Sequence, residues 1–347
     1  MTLKELIISL CGIMSVSGNE RRGGEELQSL VGGVFDEYHT DALGNHLFIK
    51  RCGHPHAPKI LIDTHFDEIG MMVTDIKEGG FLTVTNIGGV DTRILPASEV
   101  IIYGKEPIYG VFAAKAPHLS TAADMEKLTP LSEMLIDTGY SKEELAELCS
   151  IGTPVGFKPV YRELQNECLA GKAFDDKACG ACAIFGIDAV QKKDLAGDVY
   201  FLFSAFEETG MAGARVAGFG LRPDYALVLD VTHASTPETK ENFLPEQGKG
   251  VAIAASPITN RKLTHLLADT CHAAGIPYTM RVSTRSTGTN ANVLGISANG
   301  IPTALCSLPL KSMHTSAEVL SMEDANALKR VVTAFIKSKE IGEVFGK

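Results

Sequence analysis

Two adjacent glutamates, Glu207 and Glu208, interrupt the stretch FLFSAFEETG (residues 201–210), where an apolar run gives way at once to two like charges. Side by side, each disfavours the other's ionisation, so the pair needs a physical reason. Four other segments carry groups of the same kind. LIDTHFDEIG holds His65 and Asp67, KAFDDKACG holds Asp175 and Asp176, YALVLD ends in Asp230, and KSMHTSAEV holds His314. Several carboxylates and two imidazoles gathered at one place would repel or neutralise one another unless strong positive charge sat among them, and divalent cations supply that charge. Imidazole and carboxylate without thiolate suit zinc, cobalt or manganese, and a carboxylate shared between two ions holds them roughly 3.5–4 Å apart. One glutamate can then bind a metal while its neighbour, kept off the metals, acts as a base on water. The chemistry implied is hydrolysis of an amide.

Taken singly, each piece has a plainer reading. HFD alone is chance, a terminal EE is a solvated acidic pair, and FDDK is a helix N-terminal cap. The conjunction of five segments in order is what points to a site. Two carboxylates could also suggest a glycosidase, but those enzymes need carboxyls roughly 5 Å or 6.5–9.5 Å apart facing across a sugar, with no histidine ligands. Neighbouring residues such as Glu207 and Glu208 tend to point to different sides. His39, His46, His54, His56, His265 and His272 read as ordinary surface or core histidines.

The elements that must position these groups have an α/β pattern. From residue 160 onward, strand-like runs (VYFLFSAF, YALVLD, GVAIAAS, YTMRVS, PTALCS) alternate with helical ones, the signature of a sheet covered on both faces. Leu263, Leu266, Leu267, Cys271 and Ala274 form one helical stripe, and Leu328, Val331, Val332, Phe335 and Ile336 another. Near the N-terminus, MTLKELIISLCG reads as an amphipathic helix, EYHTDALGNHLFIKR as two extended segments around a turn at 43–45, and KILIDTH as a third strand. Four of the five segments set a ligand-type residue at or beyond the end of a buried-looking run, and open α/β sheets place their sites outside the carboxyl ends of strands. Between about 71 and 160 the texture changes to short alternating runs punctuated by Gly and Pro, with one polar helix at SKEELAEL. That predicts a small β-barrel inserted into an α/β domain made of residues 1–70 and 161–347.

Composition narrows the function classes. With 32 Lys+Arg against 42 Asp+Glu the formal charge is −10, which argues against a broad nucleic-acid or anionic-membrane surface. No stretch reaches the roughly 18 apolar residues needed to span a bilayer, and Lys4 and Glu5 break any signal-like run, so the cytoplasm is the expected compartment. The eight cysteines are expected as buried thiols; Cys179 and Cys182 form a CxxC, but among small residues they read as helix packing rather than a redox or zinc motif.

The ordered set THFDEIG, AFDDKACG, FSAFEETGMAGA, LVLDVTHA and MHTSAEV resembles the M42 metallo-aminopeptidases, the tetrahedral and glutamyl aminopeptidase group. The likeness extends through SVSGNE, KAPHL and DTGYSKEEL, over nearly the whole chain. It implies a three-layer α/β/α mixed-sheet catalytic domain with a PDZ-like β-barrel insert used in assembly. It also implies a twelve-subunit tetrahedral shell acting on short peptides through two divalent ions per subunit, zinc or cobalt, with manganese an option. Residue by residue it makes His65 and Asp230 ligands of one metal and Glu208 and His314 ligands of the other, with Asp175 bridging. Glu207 becomes the general base and Asp67 the carboxylate that orients His65; Asp176 stands behind the ligands, and His118 in KAPHL is structural or interfacial.

Two positions depart from the family's pattern: Asn290 stands in GTNAN where an aspartate is usual, and Lys311-Ser312 precede the last histidine where an Arg-Tyr pair is common. Asn290 loses a charge that could orient a neighbour or meet a substrate amine. The alternatives are a related dimetal N-acyl-amino-acid deacylase or carboxypeptidase, and, as a reading of a different class, a non-catalytic peptide-binding scaffold.

Overall fold

The computed structural model describes residues 1–116, 118, 129–239 and 244–346. KAPHL therefore lies partly outside the described residues, and of its members His118 is described and exposed.

Three strands come first: β1 (Glu37–Thr40), β2 (His46–Lys50) and β3 (Lys59–His65). The turn between the first two is made by Asp41, whose Oδ1 accepts the backbone N–H groups of Leu43, Gly44 and Asn45. Six strands, β4 (Gly70–Ile76) through β9 (Pro154–Phe157), then close into a barrel with its own core, including Met71, Val84, Ile102, Ile108, Ile136 and Val155. SKEELAEL is a helix over Lys142–Leu148, started by a capping box between Ser141 and Glu144, which satisfies two otherwise unpaired backbone N–H groups.

The chain returns to the large sheet through β10 (Arg162–Leu164), β11 (Cys168–Gly171), β12 (Asp198–Ser204), β13 (Tyr225–His233), β14 (Val251–Ala255), β15 (Tyr278–Val282), β16 (Thr303–Lys311) and β17 (Glu318–Ser321). The order is β1-β2-β12-β3-β13-β16-β17-β11-β10, with β14 pairing β16 and β15. β12, β3, β13 and β16 are mutually parallel. β17 is antiparallel to β16 and β11 antiparallel to β17, so β11 runs with the parallel group. The sheet is mixed; β1, antiparallel to β2 as β12 is, runs the same way, and the five strands β3, β11, β12, β13 and β16 present to one side the carboxyl ends that matter for the site.

Helices cover both faces. Alternate residues Ile60, Ile62, Leu227, Leu229 and Val231 pack against α1 (Leu3–Gly12), α2 (Phe174–Asp188), α4 (Arg261–Ala273) and α5 (Met322–Lys337). The opposite set, with Leu61, Leu202, Ala226 and Val228, packs against α3 (Ala212–Leu221) and the short helix Ala291–Leu294. In α1 a capping box between Thr2 and Glu5 starts the helix, and Leu3, Leu6, Ile7 and Leu10 are buried; each such side chain contributes about 1.5–3 kcal/mol of burial. Cys179 and Cys182 are buried inside α2, where Gly180 is required because a Cβ would meet Phe203 at 2.3 Å. All eight cysteines are free thiols.

Two expectations shift. β13 does not end at Asp230 but runs to His233, because Val231 and Thr232 stay paired with Leu308 and Pro309 of β16. Ala274 lies beyond the last turn of α4 and is exposed, so the buried stripe ends at Cys271.

Candidate metal centre

The sequence-predicted groups meet at the carboxyl ends of the parallel strands. His65 closes β3, the segment after β12 carries Glu207 and Glu208, Asp230 lies on β13 level with His65, and His314 follows β16. Asp175 follows β11 at the entry to α2, where its backbone is still non-helical.

Two groups of potential ligands share one residue. His65, Asp175 and Asp230 form the first, and Asp175, Glu208 and His314 the second. His65 Nε2 lies 2.9 Å from Asp175 Oδ1 and 4.0 Å from Asp230 Oδ1. His314 Nε2 lies 3.3 Å from Asp175 Oδ2 and 3.4 Å from Glu208 Oε1. Asp175 thus turns one oxygen toward each imidazole. Ligand atoms about 2.0–2.1 Å from a tetrahedral zinc stand about 3.3 Å from one another, and the observed separations bracket that value.

The electrostatics also fit a cation pair. Burial, reinforced by its charged neighbours, pushes the Asp230 carboxyl well above the usual range, and burial raises Glu208. Burial likewise pushes Glu207 up to about 8, with Glu208, Asp67 and Asp175 adding to it against the pull of His65. His314 is raised to about 11 by its contacts with Asp175 and Glu208. Burial opposes a charge on His65, yet its hydrogen bonds with Asp175 and Asp67 hold it well above its ordinary value. Burial would raise Asp175 too, but His314 and His65 hold it low. The cluster holds more buried carboxyls than two imidazoles can neutralise, so those raised by burial keep their protons unless cations join them, and Glu207 Oε1 has no hydrogen-bond partner. A divalent cation in each group of ligands would resolve the surplus.

Supporting residues fix the geometry. His65 Nδ1 donates to the Asp67 carbonyl at 2.9 Å, leaving Nε2 to face the ligand cluster. The Asp67 carboxylate is farther from that ring, 3.6 Å at Oδ1. Its main partners are the backbone N–H groups of Glu207 (2.9 Å, to Oδ1) and Glu208 (3.0 Å, to Oδ2). The expectation that Asp67 orients the imidazole therefore falls chiefly to its carbonyl, while its carboxylate anchors the two glutamates. Asp176 Oδ2 accepts the His65 N–H at 3.2 Å.

Several contributors were not foreseen. Glu318 Oε2 accepts the N–H groups of Phe174 (2.8 Å) and Asp175 (3.3 Å), and its Oε1 accepts that of His314 at 3.0 Å, tying two ligand segments together. Glu20 Oε1 accepts the Phe206 N–H at 3.0 Å and so steadies a residue at φ +59 just before the glutamates, a left-handed conformation that costs about 1–3 kcal/mol. A buried ion cluster joins Glu68 to Lys172 and Lys177, and Lys177 Nζ also reaches the Ile13 carbonyl at 2.7 Å. From the barrel, Gly88 and Gly89 press on the site: a Cβ on Gly89 would lie 2.6 Å from His314 Nδ1. The NIGG stretch was the available signal for this contact.

The departures find their places as well. Asn290 is buried and donates from Nδ2 to Ser204 Oγ at 2.8 Å, and it is not among the residues that line the cavity beside the ligand groups. Beside it, burial pushes the Asp63 carboxyl up to about 7 against the pull of Ser204 and Asn290. A second carboxylate at position 290 would meet that group, which gives the amide a physical reason. Lys311 and Ser312 lie outside the cavity lining, which takes Met313 and His314 instead.

Comparison with known proteins follows the same lines. The sequence profile described as M42 glutamyl aminopeptidase matches residues 44–331. The lysyl aminopeptidase of Pyrococcus furiosus is 33% identical over 338 residues, covering 96% of each chain. The chain belongs to the M42 aminopeptidase family. As an M42 aminopeptidase it is a peptide hydrolase of a metal-dependent family. Its fold matches that of an aminopeptidase from the archaeon Desulfurococcus kamchatkensis, with a TM-score of 0.90 at 28% identity over 99% of this chain and 98% of the other. It also matches the TET1 peptidase of Pyrococcus horikoshii, described as assembling into a tetrahedron or a large octahedral shell, with a TM-score of 0.85 at 28% identity over 96% and 99%. No helix among the described residues is long and apolar enough to cross a membrane.

Proposed function

We propose that this M42 aminopeptidase removes N-terminal residues from short peptides at a dimetal site with Glu207 as general base. The observation that carries the reading is the pair of three-residue ligand groups sharing Asp175, with the unpartnered Glu207 Oε1 beside them. His65, Asp175 and Asp230 would hold one ion, and Asp175, Glu208 and His314 the other; zinc or cobalt suits these donors, as does manganese. When bound, such ions supply Lewis acidity toward a peptide carbonyl and make water more acidic.

The remaining steps fall to the chain itself. Asp67, accepting the N–H groups of both glutamates, fixes the turn from which Glu208 faces His314 while Glu207 faces the cavity. Glu207, raised by burial among like charges, is brought back toward a working range by added positive charge; it takes a proton from water and returns it to the leaving amine. Gly89, Met211 and Met313 help line a cavity of about 550 Å³, within the range of small-ligand sites. An assembled shell, as the TET1 peptidase of Pyrococcus horikoshii forms, is proposed for this chain too, as a homo-oligomer of twelve. Eight free thiols suit a reducing, cytoplasmic setting.

The test is Glu207→Gln in the metal-loaded protein. The expected result is loss of turnover on an aminoacyl anilide with metal content retained; wild-type turnover would remove Glu207 from its role. Cleavage confined to N-blocked peptides, with free-amine ones untouched, would favour the deacylase or carboxypeptidase reading.

A further inference from the structure

The cavity beside the ligands is lined by several carboxylates but, among the described residues, by a single lysine or arginine side chain, Arg281. Arg281 stands on β15 opposite Ala254 of β14, and its Nη1 donates to Thr232 Oγ1. Thr232 is two residues beyond Asp230 on β13, so the two side chains share a face and lie about 6.6 Å apart along the strand. The guanidinium is thereby placed one substrate side chain's length from the first ligand group.

Arg281 is half-buried, and among the described residues it takes part in no ion pair. A guanidinium offers five N–H donors in a planar fork, and the contact with Thr232 uses one of them. A cation recessed in a cavity is ordinarily paired, and the group that matches the fork is a carboxylate, bound through two parallel hydrogen bonds. Of the carboxylates already in the cavity, Asp175, Asp230 and Glu208 face the imidazoles instead, and Glu207 makes no ion pair with Arg281.

We propose that Arg281 is a specificity-determining residue that binds a substrate carboxylate, the one on an acidic N-terminal side chain. The inference rests on the aminopeptidase reading and deepens it. Family membership leaves this preference open, since the matching profile is described as glutamyl aminopeptidase and a 33% identical relative as lysyl aminopeptidase. The reach is suitable: four bonds of about 1.5 Å separate the amine nitrogen from the glutamate carboxyl carbon, about 5 Å when extended. A charge-assisted hydrogen bond of about 2.8 Å then spans to the guanidinium. An amine held at the ligand cluster would let this side chain meet Arg281.

The experiment compares kcat/KM for glutamyl and glutaminyl anilides, which differ only in the charged group, in wild-type, Arg281→Gln and Arg281→Lys proteins loaded with metal. The wild type should favour the glutamyl substrate by about tenfold to a hundredfold, the range for a hydrogen bond between charged partners. The preference should fall to near unity in Arg281→Gln and to an intermediate value in Arg281→Lys. The other source of a carboxylate, the chain terminus of a dipeptide, is read by leucyl-glycine against its amide. A ratio that collapses there and not with the anilides would overturn the side-chain assignment. Both ratios unchanged in Arg281→Gln would overturn the proposal altogether.

Titration calorimetry of L-glutamate and L-glutamine against the metal-loaded proteins separates this inference from the activity itself. If no aminoacyl substrate is cleaved, the functional reading fails. A glutamate preference in binding that disappears in Arg281→Gln would still support the side-chain assignment, and equal binding in the wild type would still overturn it.

Discussion

Replacing Asp67 with asparagine tests how the two glutamates are held. The carboxylate of Asp67 is fully buried, and each of its oxygens accepts one backbone N–H, from Glu207 at 2.9 Å and Glu208 at 3.0 Å. Asparagine keeps one acceptor and presents an NH2 to the other N–H, so one charge-assisted bond is lost and a donor faces a donor. A hydrogen bond to a charged group is worth about 1.5–3 kcal/mol, and no solvent reaches this one to make up the loss. Asp67→Asn should therefore lower stability by about that amount, read by chemical denaturation of the metal-free protein. The same loosening, carried into the transition state, would lower kcat about tenfold to a hundredfold, read on an aminoacyl anilide at saturating metal. Asp67→Ala, which removes both acceptors, should lose more on each measure. Stability and kcat both unchanged in Asp67→Asn would refute the anchoring role, and a stability loss with kcat intact would confine Asp67 to the fold.

Metal binding should be linked to protons. In the metal-free protein the contacts of His314 with Asp175 and Glu208 hold its pKa at about 11, and His65 is also raised, so both rings carry protons at neutral pH that a cation must displace. Apparent metal affinity should therefore rise with pH, by up to about tenfold per unit for each proton displaced; calorimetry at pH 7 in two buffers of different ionisation enthalpy checks this, and no proton release would contradict it. Gly89→Ala should lower metal occupancy while the barrel stays folded, because its Cβ would lie 2.6 Å from His314 Nδ1; full occupancy in elemental analysis would contradict the contact.

The candidate ligands and the candidate base were legible because each lies at the end of a local pattern. His65 closes an apolar strand, Glu207 and Glu208 follow another, and Asp175 precedes a helix, so period and punctuation locate them without knowledge of the fold. Asp230 was found although its strand was ended too early: an aspartate inside a β-branched run looks like a terminus, and only the pairing with β16 carries the strand on to His233. What escaped were residues whose role depends on a distant partner. Glu318 reaches Asp175 across 143 positions and Glu20 reaches Phe206 across 186; both lie in stretches that carry the family likeness, MHTSAEV and SVSGNE, but no local pattern gives their partners. Buried Lys172 and Lys177 read as ordinary charges until Glu68 is brought beside them. The role of Asn290 was opaque for the same reason, since Ser204 and Asp63 lie on other strands.

The family likeness and the local chemistry lead to one arrangement by separate routes. Five strands with aligned carboxyl ends bring the ligand segments together, as parallel sheets do, and the barrel contributes glycines small enough to let His314 approach. In that arrangement both ligand groups depend on Asp175 being shared.

Anomalous diffraction from crystals soaked in zinc or cobalt, recorded at the metal's absorption edge, tests that most directly. Two peaks are expected roughly 3.5–4 Å apart, one on each side of the Asp175 carboxylate, with His65 and Asp230 against the first and Glu208 and His314 against the second. A single peak, or two peaks that do not share Asp175, would contradict it.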